Sequence, residues 1–548
     1  MPETVIQHVL RRLKAIGIGD VFGVPGDYAF SVHDAIVHDP DVNWIGCCNE
    51  LNAAYAADGY ARIRGVGAVS TTYGVGELSA LNGVAGAYAE HLAVFHLVGM
   101  PTLAAQTSGA LVHHTLGDGE FDFFRKMADP VVCATAIMTP QNVACETERL
   151  IVAALYHRRP AYMAFPSDVA NQPVVSSAQP IAPPHSDPAT LQSATEAILA
   201  ALAGAQTACI LPGLVAVRAG LGNKLQAFVD AVGLPFATMF ADKSVLDEQH
   251  PAYIGMYNGQ LMDETVRKFV ESCDCVVMVG TMMTDFNSGA FTARLDPQHT
   301  IDIGHHRTTV RSEVYPNVEI ADILSELTRR VTPRTEKTPI QPTPLGPIVG
   351  SGDDAITAAA LYPRWADFLK PGDILFAETG TSSMGLAFAP MPTGATFQNQ
   401  TLWGSIGWAT PAAFGAAVAA PDRRVILITG DGSHQLTAQE ISQLGRRGLK
   451  PIVFVLNNSG YLIERLLCED PNIAYNDIAS WRYAELPHAL GCDAWFTARV
   501  TTCGELDQAL QLAAQGDRAS YIEVVTDTYA APPMAVTLHD NIQTLYHS

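Results

Sequence analysis

No uninterrupted apolar run in the chain reaches the roughly 20 residues a bilayer-spanning helix needs, so no transmembrane helix is predicted. Residues 1–17 form an amphipathic helical pattern with charges throughout. They lack the apolar core and cleavage signature of a secretory signal. Basic residues are scarce: Lys plus Arg number 33 against 55 for Asp plus Glu, a net charge of −22. That balance argues against a nucleic-acid or anionic-membrane surface but leaves room for a locally positive site that takes an anion. The ten cysteines follow no disulfide framework. Cys47 and Cys48 are adjacent, and Cys273 and Cys275 flank Asp274 without further metal ligands nearby. They read as reduced thiols, which makes the cytoplasm the expected compartment. Charged residues make up only 16% of the 548, while 48% are hydrophobic, so the chain can fill several cores and three domains are expected.

The most informative stretch is Arg424 to Leu467. Val425 to Thr429 is a short apolar, β-branched run suited to a strand buried on both faces of a parallel sheet. Gly430-Asp431-Gly432 interrupts it. Thr437 with Glu440 reads as a capping box that starts a helix over Ile441 and Leu444, and Gly448 suits that helix's end. Ile452 to Leu456 is a second buried-strand run, stopped by Asn457-Asn458. The functional residues then fall at the carboxyl ends of two strands, the edge where open α/β sheets bind ligands. Glycines let a phosphate approach the backbone, and a helix start supplies N–H groups. A carboxylate beside a diphosphate is repulsive unless a cation bridges them. Asp431 and Asn458 offer the hard oxygens that suit Mg²⁺. The simpler reading of Gly430-Asp431-Gly432 is a turn; its combination with Asn457-Asn458 across one strand–helix–strand unit favours a Mg²⁺–diphosphate clamp.

Elsewhere the chain alternates strands and helices. Pro25-Gly26-Asp27 closes an apolar run, leaving Asp27 at a sheet edge, though a turn aspartate is common there. Glu50 sits where the run Trp44 to Cys48 passes into a helix. There it can serve the helix dipole, for about 0.3–1 kcal/mol, or reach into a cleft. Val69 to Tyr73 is a strand candidate. Gly74-Val75-Gly76 after it is a weak dinucleotide signal, with no further glycine or ribose-binding acid in place. His113-His114 lie in a polar, glycine-containing loop and fit surface, metal-ligand or acid/base roles. Linkers are expected near Val174 to Pro188 and at 331–352, giving domains at 1–175, 190–330 and 353–548. The pattern is repeated βα, hence three α/β domains with parallel sheets. The middle domain shows no catalytic constellation.

FGVPGDY, NELNAAYAADGYAR, GVGELSA, HHTLGDGEF, WGSIGW, GDG…QLTAQE…NN and GYLIER occur in this order from Val21 onward. Jointly they resemble the thiamine diphosphate (ThDP)-dependent 2-keto acid decarboxylases, the group acting on pyruvate, indolepyruvate, phenylpyruvate or branched-chain acids. The resemblance implies a carboxy-lyase with a pyrimidine-binding domain, a middle domain and a diphosphate-binding domain. It implies ThDP bound between two subunits, so a homodimer at minimum, with tetramers common among relatives. Asp431, Asn458 and the Gly460 carbonyl would hold Mg²⁺, and Ile406 would be the apolar wedge that bends the cofactor. Thr379, Gly404, Gly432 and Ser433 would also bind it. Glu50 would hydrogen-bond the pyrimidine and promote the ylide that attacks the keto carbon; CO₂ leaves and an enamine remains, chemistry the cofactor supplies. Asp27, His113, His114 and Glu464 resemble the acid/base set that protonates the enamine and frees the aldehyde. Such groups are typically worth about 10²–10⁴-fold each. A protonated Glu464 would avoid repulsion with the departing carboxylate.

Pyruvate-specific relatives carry a bulky Trp where this chain has Ser383, within ETGTSSMG. A substrate larger than pyruvate, with a branched, long linear or aromatic side chain, is therefore expected. Thr379 instead matches the pyruvate type, and Phe286, Ile463 and Leu467 would still narrow the pocket. A ThDP oxidase or acetohydroxyacid synthase, with a flavin in the middle domain, would share the clamp and Glu50. A non-catalytic ThDP-binding protein would not need Glu50 or the acid/base set. Carboligation of aldehydes is a further side reaction that the enamine makes available.

Overall fold

The computed structural model describes residues 2–261, 263–334 and 340–540. The expected domain and linker ranges 1–175, 190–330, 331–352 and 353–548 include residues 1, 262, 335–339 and 541–548, which lie outside the described residues. Among the described residues nineteen strands form three sheets, each the core of a βα-alternating unit.

The first sheet holds β1 (Asp20–Gly23), β2 (Asn43–Gly46), β3 (Val66–Thr72), β4 (Ala93–Met100), β5 (Ala134–Ile137) and β6 (Ala161–Pro166). Their order is β2-β1-β3-β4-β6-β5, all parallel. β3, β4 and β6 are buried along their whole length, as their near-continuous apolar runs require with helices on both faces.

The middle sheet holds β7 (Ala208–Pro212), β8 (Phe236–Thr238), β9 (Tyr253–Met256), β10 (Cys275–Val279), β11 (Thr300–Ile303), β12 (Arg307–Val310) and β13 (Glu313–Pro316). Its order is β13-β12-β11-β10-β7-β8-β9, and only the β11-β12-β13 edge is antiparallel.

The third sheet holds β14 (Ile374–Ala377), β15 (Thr396–Gln398), β16 (Val425–Gly430), β17 (Ile452–Asn457), β18 (Phe496–Val500) and β19 (Ser520–Val525). Its order, β15-β14-β16-β17-β19-β18, repeats that of the first sheet position for position, again all parallel.

The first and third units share one core. The Glu50–Arg64 helix, which follows β2, packs against the Ala409–Ala419 helix, which follows β15 at the equivalent position. Both are rich in alanine and carry glycine at the crossing. A Cβ on Gly59 would overlap the Ala412 backbone, and one on Gly415 would overlap the Ala56 backbone. The contacts are reciprocal: Ala56 and Gly59 on one helix meet Gly415 and Ala412 on the other. Only glycine allows two helix backbones to approach this closely.

One local expectation fails. The helix over Ile441 and Leu444 is present as Ile441–Arg446, entered through a 3₁₀ turn at Ala438–Glu440, but Thr437 does not cap that turn with its side chain. Thr437 ends the Asp431–Thr437 helix, whose N-cap is Gly430, and its hydroxyl donates to the Gly407 carbonyl at 2.6 Å. Glu440 does not close a capping box; its carboxylate accepts the Cys48 backbone N–H at 3.2 Å and the Asn52 side chain at 2.7 Å. Long-range bonding to the first domain outweighs the local pattern.

Candidate active site

Because the third sheet is parallel, the segments after β14, β15, β16 and β17 emerge on one edge. They deliver Thr379, the loop 399–408 with Ile406, Asp431 to Ser433, and Asn458 to Glu464. These line a cavity of about 350 Å³ together with Thr381, Ser382, Ile463, Tyr475 and Asn476.

Asp431 is buried and its carboxylate is ringed by backbone donors. Gly432 N–H reaches Oδ1 at 2.8 Å; Asn458, Ser459 and Gly460 N–H reach Oδ2 at 3.1, 2.7 and 3.3 Å. Burial pushes its pKa up to about 6, against the lowering effect of these donors. The inward-facing atom of the Asn458 amide lies 3.2 Å from Asp431 Oδ1 and 2.9 Å from the Gly460 carbonyl oxygen. With the amide nitrogen inward, it donates to both. With the oxygen inward, three oxygens converge, and that is a hard-cation donor set with room for phosphate oxygens. The residues present therefore fit both a divalent cation and the diphosphate it would bridge. Two helices, Thr381–Leu386 and Asp431–Thr437, also begin at this cavity, with Thr381, Ser382, Gly432 and Ser433 of their first turns in its lining, a placement that suits an anion.

The other expected cofactor contacts divide. Gly432, Ser433, Thr379 and Ile406 line the cavity, and the Thr379 hydroxyl donates to the Gln400 carbonyl at 2.9 Å. Gly404 does not line it. It takes a left-handed turn (φ 65°) and donates to the Gln400 carbonyl at 3.2 Å, shaping the loop before Ile406. Sequence reading missed Glu378. This buried carboxylate accepts the Thr379 and Ala409 N–H groups and the Thr429 hydroxyl at 3.2, 3.3 and 3.4 Å, and burial raises its pKa to about 7. It also missed Tyr461, whose ring a Cβ on Gly432 would overlap, a contact set by tertiary packing alone.

The first sheet presents a second edge. Asp27 follows β1, Glu50 follows β2, Gly74 to Gly76 follow β3, and His113-His114 lie in the segment after β4. Asn49 caps the helix that Glu50 opens, its side chain accepting the Asn52 N–H at 2.8 Å. Glu50 is half-buried, and burial raises its carboxyl pKa. His113 Nε2 hydrogen-bonds Asp27 Oδ2 at 2.7 Å, and the His113 ring stacks on Tyr28 with centroids 4.8 Å apart. Burial alone would raise the Asp27 pKa; the hydrogen bond and charge of His113 outweigh it, so the carboxyl sits below its ordinary value. Asp27, His113 and His114 offer one ligand or proton-bearing atom each within 4.8 Å of one another. Beneath them Glu77 accepts the Gly74 N–H at 2.8 Å and the Tyr162 hydroxyl at 2.7 Å, and burial lifts its pKa to about 7.

Glu464 belongs to the cavity on the third sheet, whereas Glu50, Asp27, His113 and His114 do not: every lining residue lies between Thr379 and Asn476. The residues expected to act together are thus split between two edges of one chain.

Of the expected pocket residues, Thr379 and Ile463 line the cavity. Phe286 and Leu467 join the apolar cluster packed behind Ile463, with Met384, Met534 and Phe240. Ser383 is buried outside the lining and its hydroxyl donates to the Gly380 carbonyl at 3.0 Å.

Three family models match: the thiamine pyrophosphate enzyme N-terminal TPP binding domain over residues 3–121, its central domain over 195–330 and its C-terminal TPP binding domain over 378–524. An alpha-keto-acid decarboxylase of Mycobacterium ulcerans is 41% identical over 97% of this chain and 94% of its own length. One from Mycobacterium tuberculosis H37Rv is 41% identical over 96% and 95%. Among solved structures, benzoylformate decarboxylase from Polynucleobacter necessarius shares the fold with a TM-score of 0.80, at 19% identity over 97% of this chain and all of that one. The two TPP-binding domain models fall on the two sheet edges described above, and the full-length relatives span both. The chain belongs to the thiamine pyrophosphate (ThDP)-dependent 2-keto acid decarboxylase family.

Proposed function

We propose that the protein converts a 2-keto acid to an aldehyde and CO₂ without oxidation, at a site that a second copy of the chain completes. The observation that carries this reading is the split of the site. The clamp cavity takes its lining from the third domain alone, while Glu50 and the Asp27–His113–His114 set stand on the edge of the first. A twofold dimer that brings one chain's first-domain edge over its partner's clamp would join them. A dimer is then the minimum, and a tetramer the assembly expected of the family.

The groups divide the chemistry among them. Asp431, Asn458 and the Gly460 carbonyl would hold Mg²⁺, and Ile406 would press on the bound cofactor from the cavity wall. ThDP, when bound, supplies the electron sink for the carbon that loses CO₂. Glu50, its pKa raised by burial, is suited to share a proton with the cofactor's pyrimidine ring. A 2-keto carboxylate that becomes an aldehyde and CO₂ takes up one proton. The hydrogen-bonded Asp27–His113 pair with His114 is suited to deliver it, and Glu464 to face the departing carboxylate.

The substrate is read as larger than pyruvate. Support comes from the small Ser382 at one wall and from the methionine-containing cluster behind Ile463, which can repack around a side chain. Thr379 on the cavity wall favours pyruvate as the second reading. All ten cysteines are free, which fits a reducing cytoplasm. The test is CO₂ release from pyruvate and from branched, linear and aromatic 2-keto acids with ThDP and Mg²⁺, with Glu50→Gln as control. Preference for the bulky acids supports the reading. Preference for pyruvate overturns the substrate class alone, and no release from any of them overturns the function. A yellow preparation with a flavin spectrum would favour an oxidase or synthase.

A further inference from the structure

Arg62 lies in the last turn of the Glu50–Arg64 helix, outside the cavity, and its side chain is 1% exposed. Burying a guanidinium is costly unless its donors are used. Its Nε donates to Asp58 Oδ1 at 2.7 Å and its Nη1 to the Asn399 carbonyl at 2.8 Å, while Nη2 pairs with the Glu90 carboxylate at 3.5 Å. The guanidinium also lies 4.4 Å over the Trp408 ring, whose Nε1 donates to the same Asp58 oxygen at 2.9 Å. Asn399 and Trp408 are the two ends of the loop that carries Ile406 into the cavity. One first-domain side chain therefore grips both ends of a third-domain loop.

Between those ends the loop has other anchors. Tyr55, one turn before Gly59, hydrogen-bonds the Ser405 hydroxyl at 2.6 Å, and Gln400 Oε1 accepts the Ser405 N–H at 3.1 Å. Gln400 fixes the residue before Ile406 within the loop, and Tyr55 ties it to the same first-domain helix that carries Arg62. Arg62 fixes the two ends of the loop, at Asn399 and Trp408.

We propose that Arg62 is a positioning residue for the decarboxylation, holding the 399–408 loop so that Ile406 meets the bound cofactor in a fixed place. Planarity is what suits arginine to this role. The fork reaches Asp58 and Asn399 while its face covers the indole, which an ammonium group cannot do at once. A misplacement of about 1 Å at a reacting geometry can cost on the order of 100-fold, so a residue that never touches the cofactor can still govern turnover. This role of Arg62 rests on the wedge reading of Ile406 given above.

The test compares Arg62→Met, Arg62→Lys, Ile406→Ala and the double variant Arg62→Met/Ile406→Ala as reconstituted holoenzymes. The readouts are kcat at saturating ThDP and Mg²⁺, ThDP affinity by quenching of tryptophan fluorescence, the near-ultraviolet circular dichroism of bound ThDP, and the thermal midpoint. Arg62→Met is expected to lower kcat about tenfold or more and to alter the dichroism of the bound cofactor, with partial recovery in Arg62→Lys. In the Ile406→Ala background the same change should cost less than about twofold, because residues acting through one another are non-additive. Trp408→Phe, which keeps an aromatic face but removes the indole donor and one ring, should show a smaller effect of the same pattern on kcat and dichroism and serves if Arg62→Met does not fold. A lowered thermal midpoint with unchanged kcat and dichroism overturns the proposal, as does full additivity with Ile406→Ala. If Ile406→Ala itself leaves kcat and dichroism unchanged, the wedge reading fails and Arg62 falls with it.

Discussion

The first and third domains are built on the same sheet, strand for strand, yet carry opposite chemistry at the same edge. After β1 the first domain places Asp27, where the third places Thr379 after β14. After β2 it opens a helix with Glu50, where the third delivers Ile406 after β15. After β3 come Gly74 to Gly76, and after β16 comes Asp431. After β4 come His113-His114, and after β17 come Asn458 and Glu464. On the reading proposed above, one edge gathers most of the groups suited to give and take protons, and the other, Glu464 apart, gathers oxygens and N–H groups suited to hold a cation and an anion. A shared topology fixes where functional side chains emerge, and the loop residues decide what they do. The helices after β2 and β15 then pack on each other through reciprocal Gly59–Ala412 and Gly415–Ala56 contacts, which fixes the two edges relative to one another within a chain.

The two edges should fail in different ways. Glu50→Gln should lower kcat by about 10²–10⁴-fold while ThDP stays bound, whereas Asp431→Ala should leave no ThDP on the protein after gel filtration with Mg²⁺. Thiochrome assay of the eluted protein beside CO₂ release separates them; ThDP retained in full by Asp431→Ala would remove the distinction.

Next in size is the pH response of the first edge. Glu77 has its folded pKa raised to about 7 from an ordinary 4.5, so the folded chain binds the proton more tightly than the unfolded one. Its ionised form therefore costs stability, in an amount that grows as pH rises from about 4.5 to 7 and is full above 7. The shift corresponds to about 3 kcal/mol as an order of magnitude. Glu77→Gln keeps one acceptor, for the Gly74 N–H, and turns an amide donor toward the Tyr162 hydroxyl oxygen. It should flatten the difference in urea midpoint of the cofactor-free protein between pH 5.5 and 8. An unaltered pH difference would place the titration elsewhere.

Gly415→Ala should destabilise the helix pair by about 1–3 kcal/mol, through overlap with the Ala56 backbone, without changing the chemistry of either edge. A lowered thermal midpoint with unchanged kcat in the surviving enzyme is the expected result; a changed kcat with no loss of stability would argue against it. The smallest effect concerns Ile463. Ile463→Ala should lower KM for a bulky aromatic 2-keto acid by up to about tenfold relative to pyruvate. Equal effects on both substrates would remove Ile463 from the specificity wall.

Much of this was legible in the chain. The apolar runs Val425–Thr429 and Ile452–Leu456 mark buried parallel strands because nothing polar can face two layers of helices. The residues after them, Asp431 and Asn458, converge because parallel strands end on the same edge. What was hidden depends on contacts far apart in sequence. Thr437 with Glu440 has the local look of a capping box, and a helix over Ile441 and Leu444 does follow, but Glu440 is bonded to Cys48 and Asn52 rather than to the Thr437 backbone. Ser383 looks like a pocket wall by comparison of motifs, yet the short Thr381–Leu386 helix turns it away from the cavity. Glu378, Glu77 and Arg62 lie inside segments that carry the family resemblance, yet residue type and spacing do not mark their own roles; burial and partners make them visible.

A site shared between two chains is tested most directly by mixed dimers. Glu50→Gln and Asp431→Ala chains carrying different affinity tags are co-expressed, and the mixed dimer is isolated through both tags. If each site joins one chain's first edge to its partner's clamp, one of the two sites is intact and the mixed dimer recovers about half the wild-type kcat per dimer. If each chain forms its own site, both sites stay defective, and a mixed dimer no more active than the Glu50→Gln or Asp431→Ala dimer alone would contradict the shared site.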